Sequence, residues 1–193
     1  MLQSKAKSTD VVGSQITRTL RSMDNAAAGG VFTIQCFDKE GNLKWETKKH
    51  NLVVNQGLQD MNEQYFKGSG YTATWFIGLY GAGASNTPDP DDTAASHPGW
   101  TEVTPYSNAT RPAVTFGTPT LADPSVIDNS VSPAQFNINA TATVGGAFLI
   151  SDSTKGGTAG VLFSASDFAA PGDRSVASGD TLNVTYEFSL DAA

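Results

Sequence analysis

The chain has 193 residues, enough for one domain with a sizeable core and too few for two ordinary ones. Only 16% of them are charged, and 19 glycines and 9 prolines punctuate a sequence rich in Thr, Ser and Asn, which excludes a helical bundle and suits an all-β protein with many turns. The formal net charge of −7 is unevenly spread: residues 1–50 hold eight bases against five acids, and the remainder holds four against fourteen. That asymmetry fits a basic arm docking on an acidic partner while an acidic body stays soluble and repels nucleic acid; a solvated tail is the plainer reading.

Residues 1–30 begin polar, carry one short helical run (Ile16, Leu20, Met23) and end in Ala26-Ala27-Ala28-Gly29-Gly30. The sequence predicts an extended arm that orders on docking, with Lys5, Lys7, Arg18 and Arg21 as its partner-binding groups. No apolar signal core and no run of roughly 18 apolar residues occurs, so the expectation is cytoplasmic synthesis without a secretory signal or membrane contact.

A second segment, 31–193, is expected to be the folded domain. Phe32, Ile34 and Cys36 alternate with Thr33 and Gln35, Asp38 to Asn42 turns the chain, and Leu43, Trp45 and Thr47 return it, predicting a β-hairpin. Cys36 is the sole cysteine, which excludes an internal disulfide and a thiolate metal site; it is expected as an apolar filler. The run Asn51-Leu52-Val53-Val54-Asn55-Gln56-Gly57-Leu58 leads into the one predicted helix, with Leu58, Met61 and Tyr65 on its buried face and Gly68 as its stop.

Trp75 to Tyr80 is apolar on both sides, as in a strand buried on both faces or one whose second face meets another subunit. Residues 81–98 form a loop too long for a mere connection. Trp100, Val103 and Tyr106 return to the core or an interface, Arg111 to Gly117 reads as a strand, and 118–133 as loop. A long strand over 134–144 meets a corner or bulge at Gly145-Gly146, followed by short strands at 147–151 and 161–164 and by irregular chain over 165–178.

The last strand, 181–190, sends Leu182, Val184, Tyr186, Phe188 and Leu190 to one face and polar residues to the other. About eight or nine strands with one helix predict an antiparallel β-sandwich, a jelly roll before an immunoglobulin-like one.

Catalytic and cofactor motifs are sparse. His50 and His97 are the only histidines, and neither a zinc motif, a nucleophile elbow nor a phosphate-binding loop occurs, so no catalytic, cofactor or metal residue is nominated. The acidic run Asp89 to Thr93 offers oxygen ligands for calcium but lacks the spacing of an EF-hand loop, and solvated carboxylates are the simpler reading. Trp75, Phe76, Trp100 and Tyr106 are expected at the core or at subunit contacts in preference to a sugar-stacking platform.

Four stretches carry a family resemblance: Asn51 to Leu58, Gly78-Leu79-Tyr80-Gly81, Arg111 to Gly117, and Gly145-Gly146-Ala147-Phe148-Leu149-Ile150-Ser151 through Gly179 to Thr185. In their style and order the chain resembles small β-sandwich virion proteins of tailed bacteriophages, the capsid decoration, cement or head-fibre proteins. The resemblance implies a non-enzymatic homo-oligomer, made in the bacterial host cytoplasm and carried on the virion, which bridges subunits of the major capsid protein or binds other virion proteins without nucleic acid, membrane or cofactor. The alternative is a tail-fibre or receptor-binding module that reads a host glycan with loops 81–99 and 118–133.

Overall fold

The computed structural model describes residues 26–68, 74–81, 87–168 and 172–192. Two antiparallel sheets pack into an all-β sandwich, as the sequence predicts, with one α-helix among the described residues. The first sheet is built on the pairing of the first described strand with the last. β1 (Ala26–Phe37) runs antiparallel to β12 (Thr181–Ala192) from Ala26 opposite Ala192 to Phe37 opposite Thr181. β2 (Leu43–His50) closes the predicted hairpin on the outer side of β1. Along the other side of β12 lie two short strands end to end, β8 (Ala134–Asn137) and β7 (Ser125–Asp128). Asn129 bridges the gap between them: its Oδ1 accepts from the Tyr186 N–H at 2.7 Å and its Nδ2 donates to the Val184 carbonyl at 3.3 Å.

The second sheet has the order β3 (Leu52–Val53), β10 (Leu162–Asp167), β9 (Ala142–Ile150), β4 (Trp75–Gly81), β5 (Glu102–Val103), with β6 (Ala113–Val114) on β4 and β11 (Arg174–Val176) on β9. This order does not establish a jelly roll. Between the sheets, Phe32, Ile34, Phe136, Leu182, Val184 and Tyr186 meet Ile77, Leu79, Ala147, Leu149 and Phe163. The rings of Phe32 and Tyr186 lie 4.7 Å apart and those of Trp75 and Phe163 5.4 Å apart. Each large side chain buried there is worth about 1.5–3 kcal/mol, which fixes the register of β12 because a one-residue slip would turn the whole set outward.

Several boundaries differ from the sequence reading. Residues 26–30 belong to β1, so the arm expected over 1–30 reaches no further than residue 25. The loop expected over 118–133 contains β7, and the irregular stretch over 165–178 contains the end of β10 and all of β11. The single strand expected over 134–144 is two, because the chain leaves the first sheet after Asn137, exposes Ala140 and joins the second sheet at Ala142. At Gly145 the pairing of β9 with β4 slips by one residue, the bulge that the glycine pair allows. At the end of β12 Leu190 is exposed, so its burial ladder fades beyond Tyr186.

The helix α1 (Asn55–Lys67) begins and ends where expected but buries a different face. Leu58 and Tyr65 point to solvent, while Gly57 is buried and Met61 half-buried against β10 and the core. The reason is the glycine: a Cβ at Gly57 would stand 2.4 Å from the Phe163 carbonyl oxygen, so only a bare backbone lets the helix lie this close to β10.

A polar cluster locks the β1–β2 hairpin to the turn before β12. Asp180, buried, accepts from Lys44 Nζ at 2.5 Å, from the Ala177 N–H at 2.8 Å and from Cys36 Sγ at 3.7 Å. Burial first, then the Asp180 charge, pushes the Cys36 thiol up to about 12, so it stays protonated as an inert core residue. For Asp180 burial alone would raise the carboxyl, but the Lys44 hydrogen bond and the Ala177 N–H outweigh it and hold it below the usual carboxylate range. A folded-state value below the unfolded one of about 3.9 means that Asp180 stabilises the fold above that pH and loses its contribution as pH falls through the folded value. Urea unfolding should therefore show wild type more stable than Asp180→Asn at pH 7, with the gap closing below about pH 4; a gap independent of pH would contradict this linkage.

Candidate functional site

The outer face of the second sheet holds a second apolar layer. Tyr80, Phe148, Ile150, Leu162 and Ala165 pack there with Val54, Ala94 and Trp100, and Phe76 borders them. β4 alternates between the two layers, Trp75, Ile77 and Leu79 facing the other sheet and Phe76 and Tyr80 facing outward, which accounts for its apolar character on both sides. Gly78 lies beneath the Phe148 ring, where a Cβ would be 2.1 Å from Cζ, so the ring packs flat on the strand.

What covers this face is the chain's own segment 87–100. Its acidic residues fold it. Asp92 Oδ2 accepts from the Trp100 indole Nε1–H at 2.9 Å and from the Asp89 N–H at 3.0 Å, Asp89 Oδ1 accepts from the Asp91 N–H at 2.9 Å, and Asp91 Oδ1 accepts from Asn55 Nδ2 at 2.8 Å. The run read as solvated carboxylates or a calcium loop is thus engaged in closing the segment, and no group of three or more His, Cys, Asp or Glu suited to a metal occurs among the described residues. Trp100 stacks on Tyr80 at 4.7 Å and on His97 at 4.0 Å, and the His97 Nδ1–H donates to the Trp100 carbonyl at 2.9 Å.

Beside Trp100 opens a cleft of about 290 Å³, walled by His97, Trp100, Glu102, Arg111 and Phe148 and by the turn 156–158. Among the described residues Arg111 and Glu102 bring a guanidinium and a carboxylate to its wall, with side chains 2% and 7% exposed. They form a two-pronged pair, Nε to Oε1 at 3.1 Å and Nη2 to Oε2 at 2.7 Å. Glu102 also accepts from the Tyr106 hydroxyl at 3.2 Å and the Gly156 N–H at 2.7 Å, while Arg111 also donates to the Asp152 and Gly157 carbonyls, each at 2.8 Å. Every oxygen of Glu102 is occupied, so the pair staples the 152–157 turn to β5 and offers the cleft neither a free base nor a free anion site.

The four aromatics expected at the core or at subunit contacts pack within this chain's two apolar layers. Trp75, Trp100 and Tyr106 are 9%, 4% and 1% exposed and Phe76 is half-buried, so their rings are interior to this chain. This matches the core half of that expectation; for Phe76 and Trp100 the covering layer comes from a Gly-, Pro- and Asp-rich loop that reads as solvated. Lys5, Lys7, Arg18 and Arg21 fall outside the described residues. Sequence reasoning did not single out Gln56, Glu102 or Arg111. The one signal for Arg111 was its position among only four bases after residue 50, placed before Pro112 at the start of an apolar strand.

Removing one member of a buried ion pair strands the other, at a cost of about 3–5 kcal/mol, whereas replacing both with apolar residues is often near neutral. Arg111→Met alone should therefore lower the unfolding free energy by about that amount, and Glu102→Leu added to it should recover most of the loss. Additive losses in the double variant would show that the two side chains are not coupled. Compared with known protein families, curated proteins and solved structures, the chain matches none.

Proposed function

We propose that the chain is a non-catalytic virion protein of a tailed bacteriophage that decorates or cements the capsid, bridging neighbouring capsid subunits as an oligomer. Its basic arm residues Lys5, Lys7, Arg18 and Arg21 would meet an acidic capsid surface. The observation that supports this reading is the contrast between interior and surface. The buried charges Glu102, Arg111, Asp92 and Asp180 are each held in structural contacts, whereas large apolar side chains stand fully exposed on ordered turns, Leu121 at 107% and Val131 at 96%.

Those turns are braced. Around Leu121, the Thr120 N–H donates to the Val126 carbonyl at 2.9 Å, and the Val126 N–H donates to Thr120 Oγ1 at 2.8 Å. Val131 sits between Asn129, whose side chain is locked against β12, and Ser132, whose N–H donates to the Asn129 carbonyl at 3.0 Å. Apolar anchors held rigidly before binding lose little entropy on docking. A ligand that binds the assembled shell and not its parts stabilises the shell by RT ln(1 + [L]/Kd), about 4 kcal/mol at a thousandfold excess over Kd, and many copies multiply the effect. The glycan-reading alternative depended on Trp75, Trp100 and Tyr106 being exposed, and their burial leaves it without that platform.

Co-sedimentation with capsids of the encoding phage tests the proposal. The full chain should pellet with capsids, and both deletion of residues 1–25 and the double variant Leu121→Ser, Val131→Ser should weaken binding at least about tenfold with thermal unfolding unchanged. Failure of the full chain to bind, or binding by both variants as strong as wild type, would overturn it.

A further inference from the structure

Residues 1–25 join the body at the start of β1. Between positions 12 and 23 their apolar side chains are Val12, Ile16, Leu20 and Met23 alone, at spacings of four, four and three. On a helix these four share one face, and Arg18 and Arg21 stand on the opposite one. As a strand the same stretch has no apolar side, because Ile16, Arg18 and Leu20 would fall together. With Gly13, Thr17 and Thr19 in it, a helix this short is not stable in water by itself, so its apolar face needs a seat.

The body presents apolar side chains at the end where this segment leaves it. Residues 26–30 of β1 have no partner in β2, whose last residue, His50, lies opposite Val31. Gly30 lies opposite Phe188 on β12, the Phe188 ring is 5.4 Å from that of Phe163, and Phe163 lies directly beneath Gly57 of α1. The exit of the N-terminal segment and α1 are therefore at the same end of the sandwich. There Leu58, Tyr65 and Phe66 are 40%, 83% and 78% exposed, and their spacing places them with Asn62 on one side of the helix. The rings of Tyr65 and Phe66 stand edge to face at 4.9 Å.

From this arrangement we infer that residues 12–23 seat as a helix on the Leu58, Tyr65 and Phe66 side of the same chain's α1, ordering there and turning Arg18 and Arg21 outward. The lengths agree. Leu58 to Phe66 covers about 12 Å of helix and Val12 to Met23 about 16 Å. The latter exceeds the overhang of residues 26–30, about 13 Å, so a helix that folds back at residues 24–25 reaches the level of α1. The charges agree as well. With every lysine of β2 counted, residues 26–193 hold eight bases against seventeen acids, and residues 1–25 hold four against two, so segment and body attract. The tether favours the segment's own chain over a second copy: Met23 is three positions from Ala26, and so short a link gives an effective concentration of about millimolar.

The inference deepens the decoration reading and rests on it only for the use of Arg18 and Arg21, since seating is measured without capsids. Trypsin should cut after Arg18 and Arg21 at least about tenfold more slowly in the full chain than in Leu20→Asp or Phe66→Asp. Because α1 has 13 residues, deleting residues 1–25 should remove nearly half of the helical far-ultraviolet signal, and Phe66→Asp should remove as much. A short bismaleimide should join Thr19→Cys to Asn62→Cys within one chain at about 1 µM protein, whereas Thr19→Cys paired with Ser178→Cys, exposed at the far end of β12, should stay unjoined. Buried Cys36 stays protonated and out of the reaction. Equal cleavage in all three proteins, or a helical signal indifferent to Phe66→Asp, would overturn the inference. Crosslinks formed only between chains would place the segment of one copy on the next and overturn the same-chain assignment. A seated segment on a chain that does not bind capsids would count against the decoration reading alone.

Discussion

The structure depends on one side-chain amide. Gln56 Oε1 accepts from the Ala94 N–H at 3.2 Å and from the Leu162 N–H at 2.8 Å, joining the covering segment to β10 through the first turn of α1. Its neighbours extend the junction. The Asn51 N–H donates to the Gly30 carbonyl where the chain crosses between sheets, the Val54 N–H donates to the Phe163 carbonyl, and the Asn55 N–H donates to the Pro90 carbonyl. No side chain caps the helix N-terminus, and the Pro90 carbonyl takes up one of its free donors. Two buried N–H groups left without an acceptor would cost about 1–3 kcal/mol each, so the segment 51–57 decides whether the outer layer closes.

Closure of that layer turns a two-sheet sandwich into a body with two apolar layers, one between the sheets and one beneath residues 87–100. The internal charges follow from it. Asp92 holds the covering segment through Trp100, the Glu102–Arg111 pair holds the neighbouring turn, and Asp180 holds the hairpin to β12. Such groups fix geometry, while exposed apolar residues lie on braced turns and on the helix. A protein arranged this way is suited to adhering to other proteins, which is the physical basis of the assembly role proposed for it.

The hairpin, the limits of α1 and the buried half of β12 were legible because each is written in local periodicity. β7 was not, since Ser-Val-Ile-Asp is too short to carry a period and its pairing with β12 lies some sixty residues away in sequence. Alternation over 134–144 was real at Phe136, Ile138 and Val144, but alternation alone cannot say that the strand changes sheets at Ala140. The helix face was misread because its closest approach is made by Gly57, which carries no apolar signal. The aromatics were read as core or as contacts for another subunit, a choice the sequence leaves open because the cover over Phe76 and Trp100 is a polar-looking loop, and the Glu102–Arg111 pair was invisible because the eight residues between its members are largely irregular.

The central claim is that residues 87–100 close over the second sheet within a single chain. Hydrogen exchange across a dilution series tests it most directly. The account predicts slow exchange of the Ala94 and Leu162 amides and of the Trp100 indole N–H, independent of dilution. Exchange at the rate of open loop positions, or protection that appears only as concentration rises, would place the cover in another subunit and contradict the account.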